Sequence, residues 1–282
     1  MKHTILIALT LFSLTGASAQ GQTTIFSNCN TSVPLWDYYM GYAIGTTITG
    51  GNYGFAAPFT IQSRQYLYSF ELPVWFESSS GQPQGIIVSI NESAEGTLEP
   101  GGTLESIQYP GPFPTSNTSG TAIIFNSSRH PLLTDGNTYW IVAKTVDATL
   151  PTGQDTYIWN QNNTGGTGGC ESYDRGTNWS CNSGWTTPAV NVSGVPGTPE
   201  AGVQLLIDDV RADLEPHVAT SLVAILSSVL RSLDSANDNA ALRVLLAFID
   251  VVSAQRGKRI PAPEADDMIA LASSIAEQIQ AR

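Results

Sequence analysis

Residues 192–202 read VSGVPGTPEAG, and they divide the chain. Pro and Gly crowd this stretch as they crowd a domain boundary. The sequence on its two sides keeps different periods. Upstream, short apolar or alternating runs are separated by Gly, Pro, Asn and Ser. Strands are expected over 23–26, 40–44, 55–61, 65–74, 84–90, 104–108, 121–125, 138–144, 156–160 and 184–192. Within TYIWN, Tyr157 and Trp159 fall on one face of such a strand. About ten short strands with turn signals between them imply an antiparallel sandwich or jelly roll.

Downstream the period changes to that of a helix. Leu222, Ile225, Leu226, Val229, Leu230 and Leu233 recur at i, i+3 and i+4, as do Leu242, Leu245, Leu246, Ile249 and Val252. Met268, Ile269, Ala272, Ile275, Ala276 and Ile279 repeat the pattern, and Leu205–Leu214 supply a fourth segment. Pro216 suits the first turn of the second helix, and Asn237 or Asp238 can cap the third. The turn QRGKRIPAPEADD, residues 255–267, gathers three bases and three acids. Gly257 fits a left-handed cap, the cations fit the end of one helix and the acids fit the first turn of the next. The expected architecture is mainly β plus α. A β-sandwich spans 20–192, a Pro/Gly linker 193–202 and a small four-helix bundle 203–282.

Composition narrows the function. Only 13% of the 282 residues are charged, and the net charge is −12. That balance argues against nucleic acid and against adsorption to anionic lipid. Residues 20–202 carry 13 acids and 4 bases, whereas 203–282 carry 11 and 7. Residues 1–19, MKHTILIALTLFSLTGASA, combine a basic start, a short apolar centre and an A-x-A end. They read as a secretory signal peptide cleaved before Gln20, too short in its apolar run to span a bilayer. No later run of 18 apolar residues follows, so no membrane span is expected. The chain is expected to be secreted or held at a cell surface.

Of the three cysteines, Cys170 and Cys181 lie in one Gly-rich loop, GGCESYDRGTNWSC. In an oxidising compartment they are the natural pair, leaving Cys29 over, with two other pairings open. The crosslink would stabilise by roughly 3 kcal/mol.

Catalytic patterns are sparse. The sequence holds His3, His130 and His217, no G-x-S-x-G and no H-E-x-x-H. Cys29 with His130 is a weak nucleophile pair. Glu92, Glu95, Glu99 and Glu105 gather near one turn but lack the spacing of a calcium loop. Glu71 and Glu77 flank PVWF as the one carboxylate pair worth weighing for glycoside hydrolysis. No metal and no cofactor is expected.

Aromatic residues carry the strongest functional signal, because a pyranose stacks its apolar face on a ring. Trp36 and Tyr38 lie in VPLWDYYM. Tyr173, Asp174, Arg175, Trp179 and Trp185 lie in or beside the Cys170–Cys181 loop. These seven are the candidate ligand-binding residues. Their alternative role is to cover the end of the sandwich.

The tail resembles a known family. LIDDV, AALRVLLAFIDVVSAQRGKRI and ADDMIALASSI look like the FIMAH-type helical domain of bacterial extracellular proteins. The matching positions include Leu206, Ile207, Val210, Phe248, Ile249, Gly257, Ile260, Asp267 and Ile269, across 203–282. The β region, through AAPFTIQSRQYLYSFELPV, LEPGGTLESI and LTDGNTYWIVAK, is similar to choice-of-anchor (R-type) exported β-sandwich domains. Both resemblances imply a non-catalytic bacterial surface protein. Its expected partner is an extracellular polysaccharide or cell-wall component. The rival expectations are a glycan-active hydrolase and a structural surface protein that binds another protein.

Overall fold

The computed structural model describes residues 21–30, 36–37, 40–46, 52–77, 84–115, 121–146 and 156–282. The segment read as a signal peptide lies outside the described residues. The fold is β plus α, with two antiparallel sheets and four helices.

The smaller sheet runs β1 (Thr23–Ser27), β14 (Asn191–Pro196), β4 (Gln65–Leu72), β8 (Ile123–Asn126), with β9 (Leu132–Leu133) also on β4. The larger runs β5 (Val74–Glu77), β11 (Thr156–Asn160), β2 (Gly41–Thr46), β3 (Asn52–Thr60), β10 (Thr138–Thr145), β6 (Ile86–Ser93), β7 (Pro100–Tyr109). A hairpin of β12 (Thr167–Ser172) and β13 (Ser180–Thr186) attaches to β3 through β12.

Alternation explains the packing. On β3, Phe55, Ala57 and Phe59 point to the core between the sheets, and on β10 Tyr139, Ile141 and Ala143 do the same. Leu67, Phe70, Leu72, Phe125 and Val192 meet them from the smaller sheet. Trp159 and Tyr157 are wholly buried there, and the Trp159 indole N–H donates to the Ala189 carbonyl at 2.8 Å.

The helices are α1 (Pro199–Asp213), α2 (Pro216–Asp234), α3 (Asp238–Gln255) and α4 (Ala262–Gln280). Each starts with the residue chemistry its end requires. The Thr198 hydroxyl accepts from Ala201 N–H, and the Asn237 amide oxygen accepts from Ala240 N–H. Pro216 opens α2, and Pro263 lies in the first turn of α4. Gly257 has φ +68°, and Arg256 clamps Asp266 with two bonds of 2.6 Å. The basic cluster is thus helix punctuation. Helix α2 is apolar and long enough by composition to cross a membrane. In this fold its Leu222, Leu226 and Val229 belong to the bundle core.

The linker reading of 193–202 needs correction. Residues Asn191–Pro196 form β14, a central strand of the smaller sheet, and α1 begins at Pro199. Val192 and Val195 are buried on opposite sides of that sheet, one in the sandwich core and one under the helices. The helices therefore lie directly on the outer face of the smaller sheet, making a third layer. Tyr66 on β4 is its keystone. It is buried among the helices, and the Gln278 side chain donates to its hydroxyl. A Cβ on Gly202 would come within 2.6 Å of the Tyr66 hydroxyl and 2.8 Å of Ile275, so only glycine fits. Polar contacts frame this joint: His130 to Asp209 at 3.2 Å and Arg129 to Asp267 at 2.9 Å.

A candidate aromatic binding face

Cys170 and Cys181 stand directly opposite each other on β12 and β13 and are joined by a disulfide. This is the expected pairing. Cys29 is free, and burial pushes its thiol up to about 11, so it stays protonated and unreactive.

The residues of the stapled loop divide into two groups. Asp174, though exposed, is committed to the loop. Its carboxylate accepts from the Asn178 N–H at 2.8 Å, the Thr177 N–H at 3.1 Å, the Asn178 amide at 2.6 Å and the Ser172 hydroxyl at 2.7 Å. These bonds, led by the Asn178 N–H, hold its carboxyl down at about 2. Arg175 takes a left-handed φ of +59° and donates to the Thr145 and Val146 carbonyls at 2.6 and 2.8 Å. Trp179 covers Gly176 and packs against Ala56, Trp140, Val142 and Cys170. These contacts hold all three within the fold. Trp36 is likewise core, at 4% exposed. Tyr38 lies outside the described residues.

Tyr173 and Trp185 remain, and the fold supplies them with neighbours that the sequence pattern did not single out. Tyr173 is 55% exposed and meets Tyr53 edge to face at 5.0 Å. Its hydroxyl donates to the Glu171 carboxylate. On β12 the period of two puts Glu171 and Tyr173 on one face, and Glu171 sits opposite Phe55 of β3. Tyr53 shares the Phe55 face. Tyr42 stacks on Phe55 with ring centroids 3.8 Å apart and donates to the Thr186 carbonyl at 2.5 Å. Trp185 lies 6.4 Å from Phe55 on the same cluster. Burial, reinforced by the charge of Glu171, raises the Tyr42 hydroxyl above the ordinary tyrosine value.

The result is a row of partly exposed rings, Tyr42, Tyr53, Tyr173 and Trp185, around one carboxylate and floored by the buried Phe55. It continues the core-facing side of the larger sheet. Its chemistry is that of a stacking platform with one strong acceptor. The signal for Tyr42 and Tyr53 was present only as strand alternation, and their meeting with β12 is a long-range pairing.

The other carboxylate candidates are placed elsewhere. Glu105 is buried and accepts from the Ser127 hydroxyl at 2.5 Å and the Ser128 N–H at 2.8 Å, which fixes the loop leading to His130. Glu71 and Glu77 lie on strands of different sheets. Among the described residues no three His, Cys, Asp or Glu side chains gather as metal ligands do. Compared with known protein families and characterised proteins, the sequence matches none.

Proposed function

We propose that this chain is an exported, non-catalytic binding protein of the bacterial surface or extracellular matrix, and that it binds polysaccharide on the Tyr42–Tyr53–Tyr173–Trp185 row. The exposed Tyr173 ring, braced edge-on by Tyr53 and tied to Glu171, carries the reading. Sugar rings stack on such a platform while Glu171 accepts from their hydroxyls. Binding is favoured over hydrolysis by the carboxylate inventory. Glycoside cleavage uses two carboxyls across one bond, and the second acid near the row, Asp174, is consumed by its loop. The resemblance of the tail to FIMAH-type domains and of the β region to choice-of-anchor domains supports a surface role.

A glycan array and polysaccharide pull-down on the purified protein test this. Retention on at least one neutral or basic polymer is expected, with Tyr173→Ala weakening it about tenfold at unchanged circular dichroism. A folded protein retained on no polymer would sink the proposal.

A further inference from the structure

On the far side of the β12–β13 hairpin the two sheets leave an open seam. Strand β3 is paired on both edges as far as Ala56, where Cys170 of β12 stands opposite. Beyond it, among the described residues, 58–60 pair only with β10. Strand β1, the edge of the smaller sheet, pairs only with β14 among the described residues. Between these two edges lies a cleft of about 890 Å³, walled by the stem of the hairpin.

Three properties define what it can hold. First, among the described residues its lining contains no Asp, Glu, Lys, Arg or His, in a chain with 36 Asp, Glu, Lys and Arg residues, 12 basic and 24 acidic. An ion would leave water here without a counter-charge, which disfavours it. Second, its floor is apolar. Phe26, Pro58, Phe59 and Trp140 line it, and Leu98 stands at the rim 76% exposed. Third, Gln62, Thr167 and Ser183 turn polar groups to the rim without a side-chain partner among the described residues, and the Asn182 oxygen accepts from Gly184 N–H while its amide N–H₂ is left over. An added peptide strand is a poor occupant, because Pro58 has no N–H to offer along this edge.

We propose that this seam is a second binding site, distinct from the aromatic row, for an uncharged amphipath: an apolar chain between the sheets and a hydroxyl-rich head at the amide rim. Pockets of this size with apolar walls and a few polar groups are the usual form of small-molecule sites. The charge balance selects the neutral head, and the rim amides select hydroxyl groups over a bare hydrocarbon.

The probe is octyl glucoside below its micellar concentration, titrated into the full chain with Trp140 emission and calorimetry as readouts. The counter-probes are octyl sulfate, octyltrimethylammonium and free glucose. Binding of the glucoside is expected, with each charged octyl probe and glucose about tenfold weaker or more. Thr167→Trp and Ser183→Trp, at exposed positions of the hairpin, are expected to fill the mouth and abolish binding without lowering Tm. Tyr173→Ala is expected to leave it intact, which separates this site from the polysaccharide row. Equal binding of all three octyl probes, no binding of the glucoside, or full binding by both blocked variants would each overturn the proposal.

Discussion

His130 illustrates how one side chain joins two layers. Its ring is buried, with Nδ1 bonded to the Leu67 carbonyl at 2.8 Å and Nε2 to Asp209 at 3.2 Å. Burial alone would lower its pKa. The bond and charge of Asp209, the Leu67 carbonyl and the charge of Glu105 outweigh that and raise it. A raised pKa means the protonated form is the one that stabilises the fold. The contribution is complete below the unfolded value of 6.5 and is lost as the pH climbs past the folded value. Thermal melts should therefore show Tm falling from mildly acidic to mildly basic pH. Asp209→Asn should flatten that slope, and an unchanged slope would remove His130 from the account. Asp213, raised chiefly by burial and then by its acidic neighbours, also opposes folding as it ionises, but in the acid carboxylate range rather than in the window where His130 titrates. Gly202 gives a second residue-level test. Gly202→Ala drives a methyl into Tyr66 and Ile275 and should cost about 1–3 kcal/mol by chemical denaturation.

At the scale of elements, the helices were legible, whereas β9, β12 and most of β5 and β14 lie outside the expected strands. Periodicity at i, i+3 and i+4 predicts α2, α3 and α4, because each buries one face in a local bundle, and the expected segment Leu205–Leu214 covers α1 from Leu205 onward. The stretch VSGVPGTPEAG looks like a linker in sequence because Pro and Gly dominate it. In the fold Pro196 ends β14, and Gly194 sits beside a register shift where a Cβ would meet the Tyr66 carbonyl at 2.9 Å. Those glycines and prolines serve close packing rather than freedom, and only the distant partners β1 and β4 reveal it. Ala236, after α2, holds a left-handed φ of +53°. Ala236→Gly should stabilise by roughly 1 kcal/mol in denaturant melts. The hairpin is the opposite case. Among the described residues strand β13 pairs with β12 alone, so Cys170→Ala/Cys181→Ser should cost about 3 kcal/mol and raise hydrogen exchange selectively across 180–186.

For the whole molecule, three stacked layers replace two domains on a tether. Tyr66, Val195 and the helix faces share one apolar cluster, so calorimetry should give a single cooperative transition rather than two. The aromatic row lies on the larger sheet, whereas the helices cover the smaller one. The sequence points to the disulfide-stapled loop, which the fold makes a hairpin, and to two of the row's rings. It missed Tyr42, Tyr53 and Glu171, whose role exists only once β2, β3 and β12 are side by side. Asp174, Arg175 and Trp179, named on the same signal, also bond or pack within the fold around the loop. The central claim is that polysaccharide binds through this row. Its most direct test is affinity electrophoresis of the parent and of Tyr53→Ala/Tyr173→Ala in gels cast with the polymer that retains the parent. Two stacking rings at about 1–1.5 kcal/mol each predict roughly a hundredfold weaker retardation in the variant. Equal retardation of the two folded proteins would contradict the account.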